Sequence, residues 1–237
     1  MARNKATTTS ERTVRTDGEL TRLRILEAAG QLYSAQGYAQ TPSKLVAGEA
    51  GVDLASINYH FGSRGGLYKA VLIEAHQRMV SLDELHRIDA QDAPPADKLR
   101  AVFEMLVQSS RKPRGWHARL FAREVLAPTS NLREVFGEAL QPKIAIVVRI
   151  ISQVSGLAAD DPALLRCLIS TMAPCLMLLV ASHQMPGPAG KVAAMPAAQL
   201  VAHLHAYALG GLAAIQPTQA ARARTPPARK RGAAAAA

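Results

Sequence analysis

Several things are scarce in this chain of 237 residues, and each scarcity closes off a class of protein. Aromatic residues make up only 4%. With alanine and leucine plentiful and few stretches alternating at period two, that disfavours sheets and predicts an all-α fold. Only two cysteines are present, Cys167 and Cys175, eight apart on one predicted helix. That spacing suits neither a disulfide across a straight helix nor a zinc site, and it predicts buried, reduced thiols. The most apolar run, Cys167 to Ala181, is broken by Pro174 and falls short of the roughly 20 residues a membrane span needs. The polar start lacks the apolar core of a signal peptide, so the expectation is a cytoplasmic protein with no membrane partner. Also missing are a GxSxG elbow, an HExxH pair, a phosphate-binding loop and a dinucleotide glycine fingerprint. His203 and His205 lie two apart on a predicted helix and point to different faces, a poor metal pair. The expectation is therefore no enzyme, no catalytic residues, no metal and no cofactor.

Acidic residues are scarce too. The chain has 18 Asp and Glu against 28 Lys and Arg, a net charge of +10. The excess sits at the ends: residues 1–24 carry +3 and residues 216–237 carry +5, leaving +2 for everything between. A polyanion would meet those ends first, through salt-sensitive contacts blind to sequence. The alternative is that both ends are solubilising tails. With 49% hydrophobic residues, the rest has enough apolar side chain for a real core.

What is present is concentrated in residues 41–67, TPSKLVAGEAGVDLASINYHFGSRGGL. Thr41 suits an N-cap, and Pro42 suits the first helical position, where a missing N–H does no harm. A short helix follows with Leu45, Val46 and Ala50 inward and Ser43 and Lys44 outward. Gly51 makes the turn, Val52 tucks inward, and Asp53 caps a second helix over about Leu54 to Tyr59. Of that helix Ile57 is inward, with Leu54 and Phe61 partly so. Ala55, Ser56, Asn58, Tyr59 and His60 face outward, small or hydrogen-bonding side chains where a merely solvated helix would carry Glu and Lys. Arg64 follows, where a guanidinium can clamp a phosphate. Two short helices joined by a tight turn form a helix-turn-helix, whose second helix enters the DNA major groove. A purely structural helical hairpin is the bland alternative.

The run ASINYHFGSRGGLY, with the upstream ILEAAGQLYSAQGY and the intervening AGEAGV, closely resembles the DNA-binding domain of the TetR family of transcriptional regulators. The resemblance covers roughly Leu20 to Val80. It implies DNA contact by Ser43, Lys44, Ala55, Ser56, Asn58, Tyr59 and His60, and phosphate binding by Arg64, a position where Lys is usual. Two departures stand out. Gly65 and Gly66 replace a more usual charged pair, which predicts a late or loose start of the next helix. Pro42 replaces a common second Thr and removes one hydroxyl. Further on, RLFAREVLAPTSNLREVFGEALQPKI resembles the ligand domain of a CecR-like subgroup of the same family, over about Leu99 to Leu179.

The chain thus divides into a flexible basic arm (1–18), a helix-turn-helix domain (19–66), a helical ligand-binding and dimerisation domain (67–215) and a disordered basic tail (216–237). Within the arm, Arg12 and Arg15 suit the groove beside the main contact. A first helix over Glu19 to Gln36 turns Leu23, Leu26, Ala29, Leu32 and Tyr33 inward. Tyr38, Leu45, Val46, Val52, Ile57 and Phe61 complete a small core. A fourth helix is expected from Leu67 to Leu85, with His76 and His86 as surface residues, and the resemblance makes it a lever between head and ligand. Further helices are read over Ala96 to Arg111, Trp116 to Leu126, Asn131 to Leu140, Pro142 to Val154, Pro162 to His183 and Pro196 to Ile215, with a linker from Met185 to Lys191. The last two are apolar around most of their circumference, which calls for a partner surface; the resemblance makes this a homodimer whose recognition helices stand roughly 34–36 Å apart on a palindromic operator. Phe103, Trp116, His117, Phe121, Met172, Cys175 and Met177 are candidate walls for a small apolar or aromatic effector. A dimeric, effector-responsive repressor of double-stranded DNA is the reading. The rivals are an architectural DNA binder driven by the basic ends, and a helical scaffold or enzyme that keeps only the head.

Overall fold

The computed structural model describes residues 6–111, 115–129, 135–180 and 187–215; of residues 6–16 only the backbone is described. Among these residues every regular element is helical. Three helices build the head: α1 (Ala6–Gln36), α2 (Ser43–Ala50) and α3 (Leu54–Phe61). The helix that begins the chain is longer than Glu19 to Gln36, because its backbone continues to Ala6 through residues expected as an arm. Ile25, Leu26, Ala29, Tyr33, Val46 and Ile57 form the head core. Leu23 and Leu45, expected inward, are 46% and 41% exposed; Ile25 and Ala47, two residues on and so on the other side of each helix, are buried instead.

Capping explains most of the boundaries. Thr41 is fully buried, and its hydroxyl donates to the Gly37 carbonyl at 2.8 Å. It therefore ties the α1–α2 turn rather than capping α2, which starts one residue later than expected with Pro42 at its cap position. Gly51 closes α2 at φ 63°, a left-handed conformation that glycine adopts without cost, and the Val52 amide returns to the Ala47 carbonyl at 3.0 Å.

The fourth helix, α4 (Arg64–Met79), starts neither late nor loosely. Ser63 accepts from the Gly66 amide at 3.0 Å, and a Cβ at Gly66 would lie 2.1 Å from the Phe61 carbonyl oxygen. Glycine at 66 is what allows a turn this tight. Nor does α4 run on to Leu85. It stops at Val80, and Ser81 caps a separate α5 (Leu82–Asp89) by accepting from the Glu84 amide. Asp83 and Glu84 in the first turn of α5, with His86 and Arg87 in its last, complement the helix dipole.

The body continues with α6 (Pro95–Arg111) and α7 (Trp116–Leu126), then a π-helical turn (Phe136–Leu140) that leads directly into α8 (Gln141–Ser155). The predicted helix over Asn131 to Leu140 survives only as that turn within the described residues. After these come α9 (Ala163–Val180), a short α10 (Pro188–Ala193) inside the expected linker, and α11 (Ala197–Ile215). α11 lies along α6, while α7 is wedged against α1 and α4. Trp116 and Leu120 of α7 join the head core, and Phe121 joins the body core with Leu99, Phe103, Ile146 and Ile150. The seam is close: a Cβ on Gly30 would sit 2.3 Å from the Trp116 indole. The basic tail over 216–237 lies outside the described residues. The helix long and apolar enough to cross a membrane is α11, not the run around Cys167, and only 22% of its apolar window is buried within the chain.

Candidate nucleic-acid interface and effector cavity

Asp53 holds the start of α3. Its carboxylate accepts from the Ser56 hydroxyl at 2.6 Å and the Ser56 amide at 2.7 Å, and these two donors hold its pKa below the usual carboxylate range. Ser56 is therefore half-buried and occupied locally. The free outward face consists of Leu54, Ala55, Asn58 and Tyr59, with Tyr59 85% exposed. His60 stands half-buried beside it, rings 5.0 Å apart and edge to face. Lys44 is exposed and Ser43 half-exposed at the start of α2. Leu45 and Leu54, 41% and 48% exposed, extend the same surface, although Leu45 was expected inward and Leu54 partly so.

Arg64 does something other than wait for a phosphate. Its guanidinium donates to the Tyr38 carbonyl and, at 3.3 Å, to the Ala39 carbonyl, and it stacks 4.4 Å over the Tyr38 ring. A planar five-donor group is suited to such a double task. It binds the start of α4 to the turn between α1 and α2. Behind it, the rings of Tyr33, Tyr38 and Tyr68 form a cluster with centroids 4.5 to 5.8 Å apart. Tyr68 then donates its hydroxyl at 2.6 Å to Glu124 of α7. Burial, and next the Glu124 carboxylate, push the Tyr68 phenol well above its ordinary range, so it stays a donor.

Glu124 also marks the wall of a partly open cavity of about 280 Å³ lined by residues of α4 to α9. Phe121 and Met172 line it as expected. The other five candidates do not. Phe103 is fully buried beside His205 in the body core, and Trp116 and His117 stack on each other at the seam with the head. Cys175 is buried on another side of α9, where burial pushes its thiol up to about 12, and Met177 is 52% exposed. Helical spacing decides this: the cavity face of α9 carries Leu168, Met172 and Leu176, four apart, with Ile169 and Ala173 beside them.

Sequence reasoning missed the cavity's polar groups. His76, expected on the surface, is 7% exposed, packs edge to face on Phe121 at 5.0 Å, and has its pKa lowered to about 4 by burial and then by the nearby Lys143 charge. Lys143 is equally buried, donates to the His76 carbonyl at 3.0 Å, and has its pKa lowered to about 8 by burial alone. The one available signal was a lysine followed by apolar residues at 144, 146, 147, 148, 150 and 151, too many apolar positions for a lysine face to remain in solvent. Both cysteines are free.

Comparison with known proteins matches two stretches of the chain. Residues 25–71 match the model "Bacterial regulatory proteins, tetR family", and residues 95–215 match "HTH-type transcriptional dual regulator CecR, C-terminal domain". A curated relative, the HTH-type transcriptional dual regulator CecR of Shigella flexneri, is 26% identical over 154 residues, covering 61% of this chain and 69% of the relative. In fold, a transcriptional regulator of Pseudomonas aeruginosa PAO1 superposes with a TM-score of 0.65 at 21% identity, covering 82% of this chain and 91% of that one. The fatty acid degradation regulator FadR of Bacillus halodurans gives 0.62 at 18% identity, covering 81% and 96%. AibR in complex with isovaleryl coenzyme A and operator DNA gives 0.59 at 16% identity, covering 79% and 97%. The chain belongs to the tetR family of bacterial regulatory proteins: it is a DNA-binding transcriptional regulator with a CecR-type C-terminal domain, and not an enzyme.

Proposed function

We propose that the protein is an effector-responsive repressor acting in the cytoplasm, binding a palindromic operator as a homodimer through α2 and α3. The observation that carries this reading is the outward face of α3, where Ala55, Asn58 and an 85% exposed Tyr59 stand free on a helix fixed by Asp53 and Gly62. Ser43, Lys44, Ser56 and His60 flank that face, and Leu45 and Leu54 suit thymine methyl groups in the major groove. Arg64 acts here as the brace of the turn that presents α2.

Dimerisation is supported by a stripe of exposed residues on α9, Leu165, Ile169, Ala173 and Met177, four apart, beside α11 with Tyr207 73% exposed. Two helices this apolar and this open need a partner surface. An effector in the cavity lowers DNA affinity only by the difference in its binding to the two conformations. AibR was solved with both a small molecule and operator DNA, so the fold accommodates both. Selection from random duplex DNA at about 0.15 M salt, where weak phosphate contacts are screened, should enrich a palindrome. On that duplex Tyr59→Ala should lose roughly 10- to 100-fold in affinity by anisotropy with unchanged helicity. Enrichment of no sequence, with binding abolished by deletion of residues 216–237, would favour the architectural reading instead.

A further inference from the structure

Among the described residues, the lysine on the cavity wall has no counterion. Lys143 is 93% removed from solvent, lines the cavity, and has three ammonium protons of which the His76 carbonyl takes one. Buried charges are ordinarily paired, because the cost of removing them from water is otherwise uncompensated. The other titratable groups on the wall do not pair with it. His76 on α4 is held neutral by burial. Glu124 on α7 already accepts from Tyr68 at 2.6 Å, from the Thr129 amide at 3.1 Å and from the Thr129 hydroxyl at 3.2 Å, and among the described residues it makes no ion pair with Lys143. The rest of the wall is apolar, including Phe121, Met172 and Val147. At about 280 Å³ the space is roughly twice that of a cavity of about 150 Å³ that takes a benzene ring.

We propose that this cavity binds a small apolar carboxylic acid, of about the size of a bicyclic aromatic or medium-chain alkyl acid, with its carboxylate on the Lys143 ammonium. The assignment rests on the effector reading above and names the chemistry of that effector. The carboxylate supplies a counterion that no described residue provides and accepts the remaining Lys143 protons, and the apolar remainder packs against the wall formed by α6, α8 and α9. A neutral amide of the same shape fills the same space and leaves the charge unpaired.

The test is calorimetric titration of the full-length protein at pH 7 with octanoate and 2-naphthoate, each against its primary amide. The acids should bind at least tenfold more tightly than the amides. Lys143→Met should abolish that preference while keeping amide binding, and Lys143→Arg, which keeps the charge, guards against a variant that simply misfolds. Acid affinity of the parent should fall between pH 7 and 9.5 as the ammonium is lost, with amide affinity unchanged. Amides binding as tightly as acids, acid binding indifferent to Lys143→Met, or no binding of either acid would overturn the assignment. Operator affinity measured on the same samples separates the two readings. Acid that binds through Lys143 without releasing DNA leaves the site and removes its effector role; DNA released equally by acid and amide keeps an effector and removes the acid.

Discussion

The head and the body place their polar groups differently. In the head they sit at helix starts and bind backbone: Asp53 accepts from the Ser56 amide, Ser63 from the Gly66 amide, and Arg64 donates to the Tyr38 and Ala39 carbonyls. In the body the decisive ones, His76, Glu124 and Lys143, lie along a cavity wall among apolar side chains. The first arrangement fixes one shape from local rules. The second leaves a space lined by buried polar groups, which is what the proposed effector role of the body rests on.

The sharpest way to break that contrast is pH. The unfolded chain takes a proton on His76 near 6.5 and the folded chain only near 4, so stability is lost as pH falls through that window, by at most about 3 kcal/mol. Denaturant melts at pH 6.5 and 4.5 should show the loss, and His76→Leu should flatten much of it. An unchanged slope would mean that the body is no more pH-sensitive than the head.

A second test concerns the seam. Gly30→Ala forces a methyl to within 2.3 Å of the Trp116 indole and should cost about 1–3 kcal/mol, read as a lower denaturation midpoint. The smallest effect is expected in the head itself. Asp53→Ala removes the α3 cap and should cost about 1 kcal/mol, with a parallel weakening of operator binding as α3 frays. A loss confined to stability would show that the recognition face does not depend on its cap.

The same contrast explains what could be read from the sequence. The helix-turn-helix was legible because its signals are local: Gly51 at a positive φ, Asp53 at a cap, polar side chains on one face. Where a residue has two plausible local roles, local reading failed. Thr41 looks like a cap and is a buried tie to Gly37, and Arg64, read as a phosphate clamp, also braces the turn between α1 and α2. Of the candidate wall residues only Phe121 and Met172 line the cavity, because its wall is assembled from six helices whose relative rotation no periodicity reveals. The break between α4 and α5 was hidden by apolar spacing that continues across it from Met79 to Leu85, although Ser81 with Glu84 three residues on was its signature.

The contact between Gly30 and Trp116 also bears on how such a protein can change over generations. An indole pressed against a helix backbone penalises any side chain at residue 30 while 116 stays Trp. A smaller side chain at 116 would free position 30 to carry a methyl, whereas the reverse order of change passes through a clash.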